Sequence, residues 1–325
     1  MDRGEQDKAL AQYIRRDVYP YSAFYRTRLD ESGLRSQLTR RGDLARLRPT
    51  EIDDVDDPAE LVLRPEERTI QRYGEPSVVW KVFWSKLLGR QTAVNDGVID
   101  PAYKPVHWHL DAGLPIASSA EDLDRLAELG RRWLELAGLT RADHVVGILP
   151  PGPSRDYWEL VLACRRAGVS ALHLPPVPSA AELEAANPSV LAGRPDDLEA
   201  ALMAFRRQRR PLASLQTLLA VGEPLRRDER AHLQTLAGPD VAIVVAWAPP
   251  GARALWSECR AGGAGYHTSP DAELVETDPR TGELLWSAIG WKGSVFLRLA
   301  TGMRANVDES PCPRCRRTTP RVVPA

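Results

Sequence analysis

Residues 118–149 read "SSAEDLDRLAELGRRWLELAGLTRADHVVGIL", and this stretch decides the fold. Ser118 or Ser119 can cap a helix, because a serine hydroxyl accepts a hydrogen bond from an amide of the first turn. Apolar side chains then recur every three or four residues, as in a helix with one buried face: Leu123, Leu126, Leu129, Trp133 and Leu136. The run "HVVGIL" at 144–149 is short and apolar. The stretch therefore predicts a helix followed by a buried strand.

The same alternation continues to residue 247. Helices are predicted at 155–167, 195–207 and 226–236, and strands at 169–174, 189–193, 215–221 and 240–247. Short apolar strands that alternate with helices are typical of a parallel sheet covered by helices. The predicted fold class is therefore α/β, with parallel sheets flanked by helices.

The segments on either side have other patterns. Upstream, we predict a helical region that includes one amphipathic helix in "YPYSAFYRTRLDESGL", ending near Gly33, and a buried helix at 77–90. Downstream, "AELVETD", "ELLWSAI" and "GSVFLRLA" alternate with period two, which predicts a small antiparallel β unit. We divide the chain into an N-terminal helical region and linker (1–95), an α/β region (96–247) and a β unit with a basic tail (248–325).

Composition excludes several classes of protein. The chain of 325 residues is 43% hydrophobic and 27% charged, and its net charge of −1 gives no overall field to attract nucleic acid or anionic membranes. No apolar run approaches the ~20 residues of a membrane span, and the first residues lack the apolar core of a signal peptide. We therefore expect a cytoplasmic protein with no membrane partner.

Five stretches of the chain together carry a family resemblance. They are "SAFYRTRLDESGL", "SSAEDLDRLAELGRRWLELAGLTRADHVV", "LQTLLAVGEPLRRDER", "SECRAGGAGYHTSPDAELVETDPRTGELL" and "FLRLATGMRANVDESPCPRCRRTTPRV". In this order they resemble the large N-terminal domain of the adenylate-forming ligases, in particular the phenylacetate–CoA ligase branch. The resemblance implies the fold of that domain and a relation to enzymes that activate aryl or acyl carboxylates with ATP and magnesium. It also places Gly222, Glu223 and Pro224 near the adenine.

The segment that aligns with the phosphate-binding loop of relatives departs from their pattern. In residues 104–118, "KPVHWHLDAGLPIAS", only Gly113 and Pro115 match that glycine-rich loop, and Leu114 stands where relatives have lysine. His107 and His109 could supply some donors, but a histidine of ordinary pKa is mostly uncharged near pH 7. We therefore predict a loop that has lost phosphate binding.

Other ATP-handling parts differ as well. Trp247 could stack on adenine, but no acidic residue that could hold magnesium follows it before Glu258. Met303 stands where relatives have an aspartate for the ribose hydroxyls, and a thioether is a poor acceptor. We also expect the chain to lack the small C-terminal lid domain of the family and its lysine. These departures argue against ATP and magnesium binding and leave no residue assigned to catalysis.

The cysteines predict a metal site. In "CPRC", Cys312 and Cys315 form a close pair, which favours metal binding over a disulfide in a reducing cytosol. The resemblance adds Cys259 and His267, because relatives bind zinc at the matching positions. Three cysteines and one histidine are a common ligand set for structural zinc. We therefore predict one structural Zn²⁺ on these four side chains and place Cys164 in the core.

Several functions remain open on the sequence. We favour a non-catalytic homologue that acts as a binding, scaffolding or regulatory subunit, as a homodimer or with a protein partner, and that could hold a small carboxylate or acyl ligand. The alternative is a carboxylate-activating, AMP-forming ligase completed by a separate lid or partner chain.

Nucleic-acid binding and a histidine site are two less favoured activities. The arginines of the tail could contact nucleic acid, but no aromatic residue accompanies them for base stacking. His107 and His109 could form a metal or acid–base site with His144 or His173, although isolated histidines are more often structural.

Overall fold

The computed structural model describes residues 1–34, 38, 40–73, 80, 84, 99–111, 113–207 and 212–325. Its helices are α1 (Arg3–Tyr13), α2 (Tyr19–Tyr21), α3 (Ala23–Glu31), α4 (Glu67–Tyr73), α5 (Asp100–Tyr103), α6 (Ala120–Leu136), α7 (Arg155–Ala167), α8 (Ala180–Ala186), α9 (Pro195–Arg207) and α10 (Arg227–Ala237). A π-helical segment, Ile14–Val18, joins α1 to α2.

The strands follow the same chain order. They are β1 (His107–Asp111), β2 (Leu114–Ser118), β3 (His144–Gly147), β4 (Ser170–His173), β5 (Val190–Gly193), β6 (Thr217–Val221), β7 (Ala242–Trp247), β8 (Trp256–Ser257), β9 (Tyr266–His267), β10 (Glu273–Thr277), β11 (Glu283–Ala288), β12 (Leu299–Asp308) and β13 (Arg321–Pro324).

The chain forms two compact units, each made from two stretches of sequence. The first unit comprises Met1–Asp124 and Pro270–Arg304, and the second comprises Arg125–Ser269 and Ala305–Ala325. The sequence predicts three continuous segments, whereas these two units are discontinuous and are defined by contacts in space. The division into three segments therefore stays a prediction.

The second unit contains the parallel sheet that the alternation predicts. Strands β4, β3, β5, β6 and β7 lie side by side in that order and are parallel. Strands β8, β9, β13 and the end of β12 continue the sheet with antiparallel pairing. The inner strands are fully buried because helices cover a sheet of this kind. Strand β4 differs: it is the edge strand, and most of it is exposed.

The first unit holds the hairpin of β1 and β2 and an antiparallel group of β10, β11 and the start of β12. The predicted helix over "YPYSAFYRTRLDESGL" is divided at Ser22, whose hydroxyl accepts a 3.2 Å hydrogen bond from the amide of Tyr25 and so starts α3. Gly33 takes a left-handed φ of 65° just after that helix, as the predicted end requires.

The predicted strand "GSVFLRLA" (293–300) is wrong for most of its length. The backbone of this segment is bonded to several separate partners instead of one ladder. The amide of Val295 donates to the carbonyl of Leu61, and the amide of Leu297 donates to the hydroxyl of Tyr25. Arg298 then takes a positive φ of 50°, which strand geometry does not allow. A regular strand begins only at Leu299.

The predicted buried helix at 77–90 lies outside the described residues except at two positions. Trp80 and Trp84 are helical, but their side chains are 62% and 43% exposed, so the expected burial is wrong for these two. Within the described parts of the chain, every helix is too short or too polar to cross a membrane.

Candidate functional site

Four metal-ligating side chains meet in the second unit. Cys259 follows β8, His267 lies in β9, and Cys312 and Cys315 lie in the turn between β12 and β13. Their donor atoms all lie within 4.8 Å of one another. Strand β9 pairs with β8 on one side and with β13 on the other. The segments beside these strands are therefore close in space, although they are far apart in sequence.

The spacing of the donors fits a tetrahedral ion. Tetrahedral zinc with ligands at about 2.1–2.3 Å holds neighbouring donors about 3.6 Å apart. Cys315 Sγ and His267 Nε2 are 3.5 Å apart. The other ring nitrogen of His267, Nδ1, lies 2.8 Å from the hydroxyl of Thr319. Such a second contact fixes the ring and leaves Nε2 free to bind a metal.

Backbone amides surround the sulfur atoms. The amides of Arg314 and Cys315 donate hydrogen bonds to the Cys312 sulfur, and the amide of Ala261 donates to the Cys259 sulfur. The turn itself is closed by the amide of Cys312, which donates to the carbonyl of Arg317 at 2.8 Å. Amide donors stabilise the thiolate form, which is the form that binds metal.

The electrostatics of the cluster also favour a cation. Burial, and then the nearby sulfurs of Cys315 and Cys312, raise the pKa of Cys259 to about 11. Burial also raises the pKa of Cys312, but its amide donors outweigh that effect and leave the pKa below the usual value. Burial, followed by Arg321 and Arg317, lowers the pKa of His267 to about 4, so its ring is neutral. Three crowded thiols can ionise together only beside a positive charge.

The surroundings are those of a structural centre. Cys259 and Cys312 are buried and pack with Leu136, while Ala264 and Cys315 cover the cluster from the side. Four protein donors fill a tetrahedral shell and leave no open position for water or substrate. The residues present therefore fit a structural ion.

The segment aligned with the phosphate loop is a β-hairpin in the first unit, which corrects the predicted loop. The register pairs His107 with Ser118 and Asp111 with Leu114, and Gly113 turns with a φ of 82°. His109 is buried, whereas Trp108 is 45% exposed. Backbone amides that a phosphate loop would direct at its ligand instead pair across the hairpin, as the amide of Val106 does with the carbonyl of Ser118.

The N-terminus of helix α6, which follows this hairpin, already holds an anion. The carboxylate of Asp122 accepts hydrogen bonds from the amides of Ser119, Lys292 and Gly293 at 3.1, 2.8 and 2.6 Å. A helix N-terminus attracts phosphate through its unpaired amides and its dipole. Here a carboxylate of the protein itself lies at this N-terminus and accepts three backbone amides.

The segment that follows Trp247 is fixed by two buried charged residues of helix α7. Arg155 donates to the carbonyls of Ala248, Pro249 and Ala252 at 3.2, 3.3 and 2.9 Å. Glu159 accepts hydrogen bonds from the amide of Leu255 and from the indole of Trp133. Burial is the main cause that raises the pKa of Glu159 to about 8. Both side chains therefore serve the backbone of residues 248–255.

The other residues predicted for a nucleotide pocket have structural surroundings. Trp247 is 1% exposed and packs edge-on against Trp256 and Tyr266, so no face of its ring is available for stacking. Glu258 accepts from Arg230 at 2.6 Å and from the amides of Val245 and Gly263. Its two oxygens are therefore already bonded within the protein.

The remaining candidates are placed as follows. Gly222 has a φ of 118° just after β6, Glu223 is exposed, and Pro224 is half-buried, all in the second unit. Met303 is half-buried in β12 and belongs to the first unit, as do His107, His109 and Gly113.

Sequence reasoning missed Arg155 and Glu159. Their spacing contained a usable signal, because residues 155, 159 and 163 lie on one face of a helix and Ala163 is apolar. Two charges on the buried face of an amphipathic helix indicate an internal ion pair or a backbone clamp. Thr319 and the amide donors of the cluster had no such signal, since their positions depend on the fold of the turn.

No protein-family model matches the sequence, and no curated protein matches it. Among solved structures, the chain is similar to 2-hydroxyisobutyryl-CoA ligase in an open conformation with 2-HIB-AMP and CoA. The TM-score is 0.74 at 16% identity, over 98% of this chain and 72% of the other. For the same ligase in its thioesterification state, the TM-score is 0.74 at 17% identity, over 99% of this chain and 68% of the other. For this ligase in the postadenylation state with 2-HIB-AMP, the TM-score is 0.74 at 17% identity, over 98% of this chain and 65% of the other.

At this level of identity the likeness shows a shared fold. Over nearly all of its length the chain has the fold of this ligase, as the predicted resemblance implies.

Proposed function

We propose that this protein is a non-catalytic homologue of the adenylate-forming ligases and acts as a binding, scaffolding or regulatory subunit. We also propose that Cys259, His267, Cys312 and Cys315 hold a Zn²⁺ ion that ties the turn before β13 to β9. The ion would supply a cross-link within the fold, and no chemistry on a substrate is assigned to it.

The observation that carries the first proposal is the segment after Trp247. In the resemblance this segment supplies the adenine and magnesium contacts. Here Arg155 and Glu159 bind its backbone, Trp247 is enclosed by aromatic rings, and the oxygens of Glu258 are bonded within the protein. The carboxylate of Asp122 at the start of α6 supports the same conclusion, because it stands where a phosphate would be attracted.

We expect the purified chain to bind no ATP in the presence of magnesium and to release no pyrophosphate with a panel of aryl and acyl carboxylates. Isothermal calorimetry and a pyrophosphate assay measure these two properties. The variant Met303→Asp restores one family residue and should stay equally inactive, because the segments at 104–118 and 248–255 are unchanged. Pyrophosphate release above background by the unmodified chain would overturn the proposal in favour of a carboxylate-activating ligase.

A non-catalytic subunit acts through a partner, and we propose a homodimer or a complex with another protein. Three apolar side chains support this: Val106, which directly precedes β1, and Trp108 and Leu110, which lie in β1. They alternate in sequence and are 57%, 45% and 50% exposed. Contiguous exposed apolar side chains are characteristic of protein-binding surfaces.

We expect light scattering to give a mass above that of the 36.0 kDa chain, or a co-purifying protein to be present. Trp108→Ser should weaken the association, because it removes the largest apolar side chain of the row. Trp158→Ser is the matched control, since Trp158 is 37% exposed on the second unit. A clean monomer at micromolar concentration without any co-purifying chain contradicts this expectation.

A further inference from the structure

The turn that carries Cys312 and Cys315 also presents three exposed arginines, Arg314, Arg316 and Arg317. Residues 310–325 contain no acidic residue. Among the residues that the structure describes, none forms a hydrogen bond or an ion pair with these three guanidinium groups. The turn is therefore a concentrated positive charge without a carboxylate partner among the described residues, and a zinc ion on three thiolates and a neutral histidine, with a net charge of about −1, would offset only part of it.

Several other arginines of the same unit pair with carboxylates. Arg131, Arg132 and Arg166 all pair with Glu128. Arg226 pairs with Glu229 at 2.8 Å, and the buried Arg321 pairs with Asp308 at 2.6 Å. Arginine is common in this chain, so its presence in the turn is not the signal. The signal is the absence of a counterion at three neighbouring positions.

The turn that carries these arginines is closed by backbone hydrogen bonds. The amide of Arg316 donates to the carbonyl of Cys312 at 2.9 Å, and the carbonyl of Arg317 accepts from the amide of Cys312. Arg316 has a left-handed φ of 64°, a conformation that favours glycine over any residue with a Cβ atom. Folding alone would be better served by glycine at this position, which points to a role for the arginine side chain itself.

We propose that Arg314, Arg316 and Arg317 form a docking surface for an acidic segment of a partner protein, presented by the metal-bound turn. The inference rests on the proposed binding role and names the chemistry of the partner. Guanidinium groups form paired hydrogen bonds with carboxylates, and the hydrogen-bonded turn places three of them close together in sequence. Nucleic acid is the less favoured ligand, because residues 305–325 include no aromatic side chain for base stacking.

The test uses the full zinc-loaded chain and a fluorescently labelled polyglutamate peptide, with binding followed by anisotropy. We expect saturable binding that weakens as salt rises from about 50 to about 300 mM, since the screening length shortens. The triple variant R314E/R316E/R317E should bind at least about tenfold more weakly, because reversed charges repel the peptide.

The matched control is R141E/R165E/R227E, which changes the net charge equally. These three arginines are exposed in the same unit, and their side chains have no bonded partner among the described residues. The control variant should bind like the unmodified chain. Zinc content is measured in every sample, so loss of the metal is recognised separately from loss of the surface, and the ATP measurements judge the proposed function independently.

Three results would overturn the inference. The zinc-loaded chain could fail to bind polyglutamate at the lower salt concentration, or the control variant could lose binding as fully as the turn variant. The third is tighter binding of an oligonucleotide of equal charge than of the peptide, which would assign the surface to nucleic acid.

Discussion

Cys312→Ser is expected to abolish stoichiometric zinc and to release strand β13 from β9. A metal that binds only the folded state contributes its binding free energy to folding, and structural zinc contributes roughly 10–16 kcal/mol in small zinc domains. The parallel strands of the second unit have their own apolar core, so we expect the loss to be local. Elemental analysis measures the metal, and hydrogen exchange measures the protection of the amide of Thr268, which donates to the carbonyl of Pro320.

Cys164→Ala is the control for this experiment. Cys164 is also buried, but it lies on α7 and belongs to no metal-ligating group among the described residues. The control should keep one equivalent of zinc and normal exchange at Thr268. Two findings would contradict the prediction: less than roughly half an equivalent of zinc in protein prepared without chelator, or full zinc retention by Cys312→Ser.

Glu159→Ala is expected to destabilise the second unit by about 3–5 kcal/mol, because it leaves two buried donors without an acceptor and opens a cavity. The amide of Leu255 and the indole of Trp133 would lose their acceptor. Chemical denaturation measures the free energy of unfolding.

Glu159→Gln separates the charge of this residue from its hydrogen bonds. The amide oxygen can still accept from Leu255 and Trp133, so this variant should be much closer to the unmodified chain than Glu159→Ala. Burial raises the pKa of Glu159 in the folded protein to about 8, above its ordinary value of 4.5. The folded state therefore binds more protons than the unfolded state between these values, and its stability falls as pH rises through them.

The pH dependence gives the second readout. Relative to Glu159→Gln, the unmodified chain should lose stability as the pH rises from about 5 to about 8. If the free energy of unfolding changes equally with pH in the two proteins over this range, Glu159 is not protonated in the folded state. Burial would then not raise its pKa as described here.

The parts of the fold that the sequence predicted best are those with strong local periodicity. Helices α7 and α9 begin and end at the predicted residues, because their apolar positions repeat and because Ser154, Gly168 and Pro195 mark three of the four ends. The segment 293–300 has an equally regular pattern, yet its backbone bonds to distant residues such as Leu61 and Tyr25. A pattern in the sequence cannot show which partner the backbone will find.

The candidate site also contains residues that could be predicted from the sequence and residues that could not. The four metal ligands could be named because thiols and imidazole are rare, chemically distinct and matched by the family resemblance. The sequence could not predict whether Trp247 lines a ligand pocket or packs in the core, because an aromatic ring suits both environments equally well. Its burial follows from its contacts with Trp256 and Tyr266, and these depend on the pairing of β7 with β8.

The discontinuity of the second unit has a consequence for how the protein folds. Strand β13 lies between β9 and β12 in the finished sheet, but residues 270–304 of the other unit separate it in sequence from β9. Until residues 305–325 arrive, β9 is an open strand edge of the kind that pairs with other chains. Contacts between distant parts of a chain form slowly. The nascent protein therefore passes through a period in which aggregation competes with closure, and a partner or chaperone that shields β9 would raise the yield of folded molecules.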